Sequence, residues 1–309
     1  MLDLFGGAGG VATGLDSLGV EHVSVEWWQP AADVARAAGH RVVVGDVRDP
    51  DTLDAAAREL GGVDLLWASP PCQAWSTAGQ RNGAADERNG WPWTIDALAR
   101  LDWPPLIAEN VPGMLHHSGQ HCGDPNRCAR CYVDGWLLLR LREHYVHVEV
   151  RTLDAADLGV PQHRRRVIIQ ARHDGIRWPA LTHGDPASMF VAAGVRKRWR
   201  TVRDVLGYGG TGALWLRTEM TGATGRPDTQ PAPAVGGAGV LYAHDEDPGR
   251  RLAAPAAAGR RLTVDECAVL QGFPAGYPWH AAGSKSAAYQ AVGNAVPPAM
   301  SAALVGAYL

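Results

Sequence analysis

This sequence predicts a doubly wound α/β domain, a mostly parallel sheet with helices on both faces, joined to a smaller irregular domain. Three observations carry the expectation. Short apolar runs alternate with helix-length stretches through the first 110 residues. A glycine-rich turn links the first apolar run to the first helical stretch. The chain has 309 residues, 46% of them apolar, which is enough for one large core and a smaller partner.

The elements follow in order. Residues 2–5 are a strand stub, and a helix runs from the glycine turn to about Leu18, stopped by Gly19. Strands are expected at 23–25, 41–44, 63–68 and 106–108, with helices at 30–38, 52–60 and 95–101 between them. Right-handed crossovers bring the carboxyl ends of parallel strands to one edge, where ligands bind. A helix at 136–143, an alternating strand at 146–153 and a short apolar strand at 167–171 complete this part. From about Asp174 to Pro255 Gly, Pro, Thr and Arg dominate, and only 202–206 and 239–242 look regular. Order returns with a helix at 263–270, whose start Thr263-Val264-Asp265-Glu266 matches a capping box, and a last helix begins near Ala299. The expected division is therefore 1–173, 174–256 and 257–309, the third segment returning to the first.

Composition excludes several classes. With 29 Lys+Arg against 32 Asp+Glu the net charge is −3, so bulk charge does not hold this chain to nucleic acid, although a local basic groove can. Five cysteines, an odd number with no secretory signal, fit a reducing cytoplasm and not a disulfide scaffold. The most apolar long window, 291–309, contains Asn294, Pro297 and Pro298 and is not a membrane span.

Phe5-Gly6-Gly7-Ala8-Gly9-Gly10-Val11-Ala12 follows a strand and opens a helix, and Gly7, Gly9 and Ala12 fit G-x-G-x-x-[GA]. Such a turn lets a nucleotide approach backbone N–H groups at a helix N-terminus. Glu26 closes the second strand, where a carboxylate can take both ribose hydroxyls; Trp27 offers a face for adenine, and Asp46, after the third strand, an acceptor for its amino group. A tight turn with unrelated surface acids is the plainer reading, but acids at two successive strand ends favour an adenosine-type ligand. Cys72, in Pro70-Pro71-Cys72-Gln73 after the fourth strand, is placed for a nucleophile rather than for a buried apolar role. Glu109, in Glu109-Asn110-Val111 after the fifth, is expected in the same pocket, protonated by desolvation and able to donate.

Phe5-x-Gly7-x-Gly9, Pro71-Cys72-Gln73, Glu109-Asn110-Val111, Gln162-x-Arg164-x-Arg166 and Gly293-Asn294-Ala295-Val296-Pro297-Pro298 stand in the order and rough spacing of the DNA (cytosine-5) methyltransferases. The chain resembles that family from Asp3 to about Val305, with Arg261-Leu262-Thr263 and Leu270-Gln271-Gly272-Phe273-Pro274 also similar to its C-terminal signature. The resemblance implies a methyltransferase-type fold with S-adenosylmethionine on the glycine loop. It implies that Cys72 attacks C6 of a flipped-out cytosine while Glu109 engages N3 and the exocyclic amine. Arg164 and Arg166, alternating along an extended segment, would face the pocket together and hold the nucleotide, and Asn294 would return to the cofactor site. The stretch 174–256 would be the target-recognition region, in which Arg196-Lys197-Arg198-Trp199-Arg200 suits phosphate contact and stacking. The expected partners are double-stranded DNA and a cognate restriction endonuclease, for a monomer in the cytoplasm. An RNA cytosine-5 methyltransferase, a non-catalytic cofactor-binding regulatory subunit and a nicotinamide dehydrogenase remain alternatives, the last leaving Pro71-Cys72-Gln73 unexplained.

One segment departs from the family pattern. Cys122-x5-Cys128-x2-Cys131, with His117 or His121 as fourth ligand, has the spacing of a structural zinc site; a polar loop with reduced thiols is the alternative. Cys267, inside a helix, is expected in the core.

Overall fold

Strands covered on both faces read as continuous apolar triplets, and those expected in the first 110 residues all enter one sheet. The computed structural model describes residues 1–71, 84, 86–117, 122–207, 215–218, 226–236, 241–244 and 260–309. β1 (Leu2–Leu4) lies between β2 (Val23–Glu26) and β4 (Leu66–Ala68), parallel to both; β3 (Val42–Val44) adds to β2 and β5 (Leu106–Asn110) to β4. Helices α1 (Gly10–Asp16), α2 (Gln29–Ala37), α3 (Pro50–Leu60) and α4 (Trp91–Arg100) fill the connections. Leu2, Leu4, Leu66, Trp67, Leu106 and Ile107 are fully buried, as strands sandwiched between helix layers require.

Local chemistry sets the helix ends. The Asp49 carboxylate accepts from the Asp51 N–H at the start of α3, with Pro50 pre-set for the first turn, and Gly61 (φ 71°) ends it. The expected capping box is present at α9 (Val264–Leu270), where Thr263 and Glu266 each take the other's backbone N–H. α4 starts earlier than expected, at Trp91, because Pro92 is harmless in a first turn whose N–H groups have no intrahelical partner.

Beyond β5 a helical run from α5 (Ala129–Tyr132) through a π-helical turn, Val133–Leu137, to α6 (Leu138–Arg142) leads into β6 (His147–Asp154). β6 and β7 (Arg165–Arg172) form a hairpin-like antiparallel pair, and β7 runs antiparallel to β5. The sheet order is β3-β2-β1-β4-β5-β7-β6. This reversal matters to the site, since β7 begins at the edge where β5 ends.

The later region is more regular than expected. β8 (His183–Gly184) pairs with β9 (Lys197–Arg198), flanking α7 (Met189–Ala192). After α8 (Val202–Leu206), a four-stranded antiparallel sheet joins β10 (Trp215–Thr218), β11 (Arg226–Pro227), β12 (Leu241–His244) and β13 (Arg260–Arg261), so its last strand lies past position 256. Short strands broken by Gly and Pro carry little periodicity, which is why sequence reading sees an irregular stretch here.

The chain then returns to the first sheet through α9, α10 (Lys285–Asn294) and α11 (Pro298–Gly306). Met300, Leu304 and Val305 share a core cluster with Val11, Leu15, Trp67 and Ile107. Two glycines of α1 permit the approach: a Cβ on Gly10 would stand 2.1 Å from the Val296 carbonyl oxygen, and one on Gly14 2.3 Å from that of Pro298. Cys267 is fully buried in the cluster that joins α9 and α10 to Val202, Ala232 and Val235.

Candidate active site and cofactor loop

The chain lays β2 and β3 to one side of β1, then crosses to β4 and β5 on the other. That change of direction leaves a crevice at the strand carboxyl ends, the usual ligand position in an open α/β sheet. The glycine loop fills its mouth. Phe5 (φ 62°), Gly7 (φ 56°) and Gly9 (φ 85°) all have left-handed backbone, an unfavourable conformation for an aromatic residue that marks Phe5 as held by its surroundings. A Cβ on Gly7 would meet nothing within 4 Å, so the loop faces open space; one on Gly9 would lie 2.6 Å from the His40 ring and 2.8 Å from the Tyr277 hydroxyl. The backbone is thus bare on one side and supported on the other, as a cradle for a nucleotide-type cofactor requires.

Glu26 is fixed beside this loop. Its carboxylate accepts from the Gly7 N–H (2.8 Å) and the Trp28 N–H (2.6 Å). Burial pushes its pKa above the usual carboxylate value, and bonds from Trp28, Gly7 and Trp27 oppose the rise. Trp27 is 70% exposed, its ring open to a stacking partner. Asp46, expected to take an adenine amino group, accepts from Arg48 through the backbone N–H, Nε and Nη2, which holds its pKa below the usual value. Asn294 ends α10 and is exposed.

The second half of the site lies across β4 and β5, where Ala68 pairs with Ala108. Asn110 donates from Nδ2 to the Pro70 carbonyl (3.0 Å), and its Oδ1 accepts from the Val111 N–H. A Cβ on Gly90 would press to 2.7 Å from Pro71 Cδ, so this glycine lets α4 seat the Pro70-Pro71 pair. The chain entering Cys72 is therefore clamped to the residue after Glu109. Cys72 itself lies outside the described residues. Glu109 is buried and forms an ion pair with Arg166, whose Nε stands 2.6 Å from its Oε1. Glu109 and Arg166 meet because β7 is antiparallel, setting Ile168 opposite Glu109 and Arg166 just beyond. The expectation of a carboxyl protonated by burial did not include this guanidinium partner.

Arg164 and Arg166 do not face the pocket together. Arg164, 2% exposed, donates to the Val235 carbonyl (2.8 Å) and to those of Gly293 (2.9 Å) and Ala295 (3.0 Å). It precedes β7 and so escapes the strand alternation that the sequence reading relied on. Neighbouring Gln162 donates to the Leu270 carbonyl and accepts from the Val235 N–H, and Gln271 donates to Ala295. These side chains tie the segment at 232–235 to the returning loop at 293–295. Arg164→Met should therefore lower the unfolding free energy by at least about 2 kcal/mol, since it strips charged donors from buried carbonyls. Urea denaturation measures this; unchanged stability with weakened DNA binding would return Arg164 to the pocket.

The basic segment is partly engaged. Arg198 is paired with Asp204 (2.7 Å), Arg196 lies over Phe190 (4.7 Å), and Trp199 donates to Asp157 (2.8 Å) with its ring edge-on to His163. Trp199 is thus committed within the protein rather than open for base stacking. His117 and Cys122 in the loop before α5, Cys128 at its N-cap and Cys131 within it come together, with His117 Nδ1 within 3.9 Å of two of the sulfurs. His121, the other candidate ligand, lies outside the described residues.

Sequence reasoning missed several residues of the site. Asp3 is fully buried between Leu2 and Leu4, and its carboxyl is pushed up to about 8 by desolvation, against the pull of the Ser24 hydroxyl. An acid inside an apolar strand was the available signal. Tyr277 donates to the Ala8 carbonyl (2.6 Å) and lies 3.2 Å from His40 Nε2, bracing the glycine loop from residues far away in the chain. Nothing local in the sequence announces that contact. Among the described residues no helix is long and apolar enough to cross a membrane.

The crevice, the bare glycine loop and the anchored carboxylate make a site for a nucleotide-type cofactor such as S-adenosylmethionine. Comparison with known proteins specifies more. The family profile for C-5 cytosine-specific DNA methylases matches residues 1–188 and 213–308. Among curated relatives, the type II methyltransferase M.AplI of Arthrospira platensis is 27% identical over 98% of this chain and 84% of its own length. M1.HphI of Haemophilus parahaemolyticus, also a type II methyltransferase, is 29% identical over 100% and 86%. Two solved structures share the fold. The Schizosaccharomyces pombe Dnmt2 methyltransferase has TM-score 0.63 and 16% identity, covering 99% of this chain and 96% of that one. A putative DNA modification methyltransferase from an Escherichia coli prophage has TM-score 0.60 and 17% identity, covering 99% and 97%. The chain belongs to the C-5 cytosine-specific DNA methylases, enzymes that methylate cytosine C5 in DNA using S-adenosylmethionine.

Proposed function

We propose that the protein methylates cytosine flipped out of double-stranded DNA, through a covalent bond between Cys72 and C6. The observation that carries this reading is the Asn110 bond to the Pro70 carbonyl, which ties the entry to Cys72 to the strand end bearing Glu109. That bond supports one pocket for thiol and acid, although they are far apart in the chain.

Cytosine C5 is a poor nucleophile and needs activation. The Cys72 thiolate adds to C6, and the ring's electron pair shifts toward C5 while charge builds at N3. Glu109, once it has taken a proton from solvent, meets that charge by donating to N3, while its other oxygen accepts from the exocyclic amine. Arg166, already on Glu109 in the free protein, orients the carboxylate and adds positive potential. When bound, S-adenosylmethionine supplies the electrophilic methyl group. Phe5, Gly7 and Gly9 would cradle it, with Glu26 on its ribose, Trp27 against its adenine, and Asp46 and Asn294 at its margins. After transfer the C5 proton passes to solvent water, its bonding pair re-forms the C5–C6 double bond, and the Cys72 thiolate leaves C6. The target carbon is shielded inside a duplex, which is why the base must leave the stack.

Residues 174–256 serve as the recognition region, with Lys197 and Arg200 as exposed phosphate contacts and Arg164 as a clamp that joins this region to the catalytic body. The type II relatives accord with a modification enzyme, which we take to act as a monomer in the cytoplasm beside an endonuclease of the same target. Methyl transfer needs no metal, so an ion in the 117–131 loop would serve structure.

Bisulfite sequencing of DNA from cells expressing the protein should show newly protected cytosines in one fixed sequence context. No new protection would overturn the reading. Methyl label entering RNA and not DNA would change the polymer while keeping the chemistry.

A further inference from the structure

The loop between β5 and α5, together with α5 itself, gathers three thiols and an imidazole, none of which methyl transfer uses. His117 Nδ1 lies 3.3 Å from Cys122 Sγ and 3.9 Å from Cys128 Sγ. A tetrahedral ion with zinc–sulfur bonds of about 2.3 Å and zinc–nitrogen bonds of about 2.0–2.1 Å sets nitrogen–sulfur edges near ~3.6 Å, between those two separations. The ligand atoms of His117, Cys122 and Cys131 all lie within 4.8 Å of one another, and Cys122, Cys128 and Cys131 are free of disulfides. Gly123, at φ +103°, turns its N–H onto Cys131 Sγ at 3.1 Å, the kind of outer bond that orients a thiolate ligand. Three soft sulfurs and one imidazole nitrogen suit zinc in a closed structural site. Among the described residues a second gathering of possible ligands, Asp16, His22 and His40, differs: its His40 nitrogens are taken by Asp16 (3.1 Å), Thr13 and Tyr277 (both 3.2 Å).

The same loop holds residues that follow the Cys72 segment. Asn126, between Cys122 and Cys128, accepts from the Ala84 N–H at 3.1 Å. Asn89 bridges the Ala84 carbonyl (3.2 Å) and the hydroxyl of Tyr132, which adjoins Cys131 (3.1 Å). The Arg130 N–H closes the loop by donating to the His116 carbonyl at 3.2 Å.

We propose that His117, Cys122, Cys128 and Cys131 bind one structural zinc ion that fixes the anchor at Ala84 and Asn89. The cysteines lose their protons on binding, and the ion sets the loop from which Asn126 and Tyr132 reach that anchor. Metal binding is independent of the methyl-transfer reading, and each can fail without the other.

Protein expressed in zinc-supplemented medium and purified without chelator should carry about one zinc per chain by elemental analysis. Cobalt exchanged into the site should give thiolate-to-cobalt charge-transfer absorption. Cys128→Ser should lose the metal, whereas Cys267→Ala, altered in the core of α9, should keep it. His117→Ala should weaken zinc binding more than roughly tenfold, the least that loss of even an outer partner costs. Chelation should speed amide exchange at Ala84 and Asn89 and leave S-adenosylmethionine binding unchanged. A folded, zinc-free parent protein, or a Cys128→Ser variant with full zinc, would overturn the site whatever the methylation assay shows. Full zinc in His117→Ala would remove that residue from the ligand set, and unchanged exchange on chelation would overturn the anchoring role.

Discussion

Cys72→Ala is expected to lose methylation by at least about 10⁴-fold while binding S-adenosylmethionine as tightly as the parent, because removing a nucleophile from a covalent mechanism leaves only binding and orientation. The two readouts separate chemistry from folding. The proposed cofactor cradle is the loop of Phe5, Gly7 and Gly9 beside Glu26, and the residues packed behind it, His40 and Tyr277, do not depend on the thiol. Single-turnover transfer of labelled methyl groups measures the rate, and calorimetric titration the cofactor. Substantial activity in the variant would reject covalent catalysis. Lost cofactor binding would instead mean that the substitution disturbed the loop.

Glu109→Gln should cut the methylation rate by about 10²–10⁴-fold, the range for a positioned acid or base, and change DNA affinity far less. The amide keeps the shape of the carboxylate, and its oxygen can still accept the Arg166 Nε–H, so the strand ends stay joined. What disappears is the carboxylate on which Arg166 is aimed and, in the proposed mechanism, the group that carries a solvent-derived proton to N3. Comparing kcat with the DNA dissociation constant tests this division. A variant that binds DNA poorly but turns over normally would make Glu109 a binding residue. An unchanged rate would remove it from the chemistry.

The parts legible in the sequence were those written locally. Val23–Glu26 and Leu66–Ala68 read as strands because their side chains are covered on both sides, and the Thr263 capping box announced α9 three residues ahead of its partner. The cysteine spacing in the 122–131 loop was readable for the same reason. α10 is absent from the expected elements because its alanine-rich sequence has no strong apolar face; its Ser284 cap, which accepts from the Ala287 N–H, is the local sign of it. Arg164 shows a different limit. A buried guanidinium is tolerable only where carbonyls converge on it, and its partners at 235, 293 and 295 are set by tertiary structure, not by periodicity. The Glu109–Arg166 pair likewise follows from the antiparallel sense of β7, which no single strand reveals.

The seating of α11 against α1 has a consequence for how the protein comes to life. On the ribosome the first strands emerge early, but Gly10 and Gly14 wait for Val296 and Pro298, and Ala8 waits for Tyr277. At about 5–20 residues per second, that delay lasts many seconds after the amino-terminal half has been made. Such distant pairings also slow folding itself. A nascent chain interrupted before Tyr277 therefore lacks the brace that the full chain sets against the glycine loop.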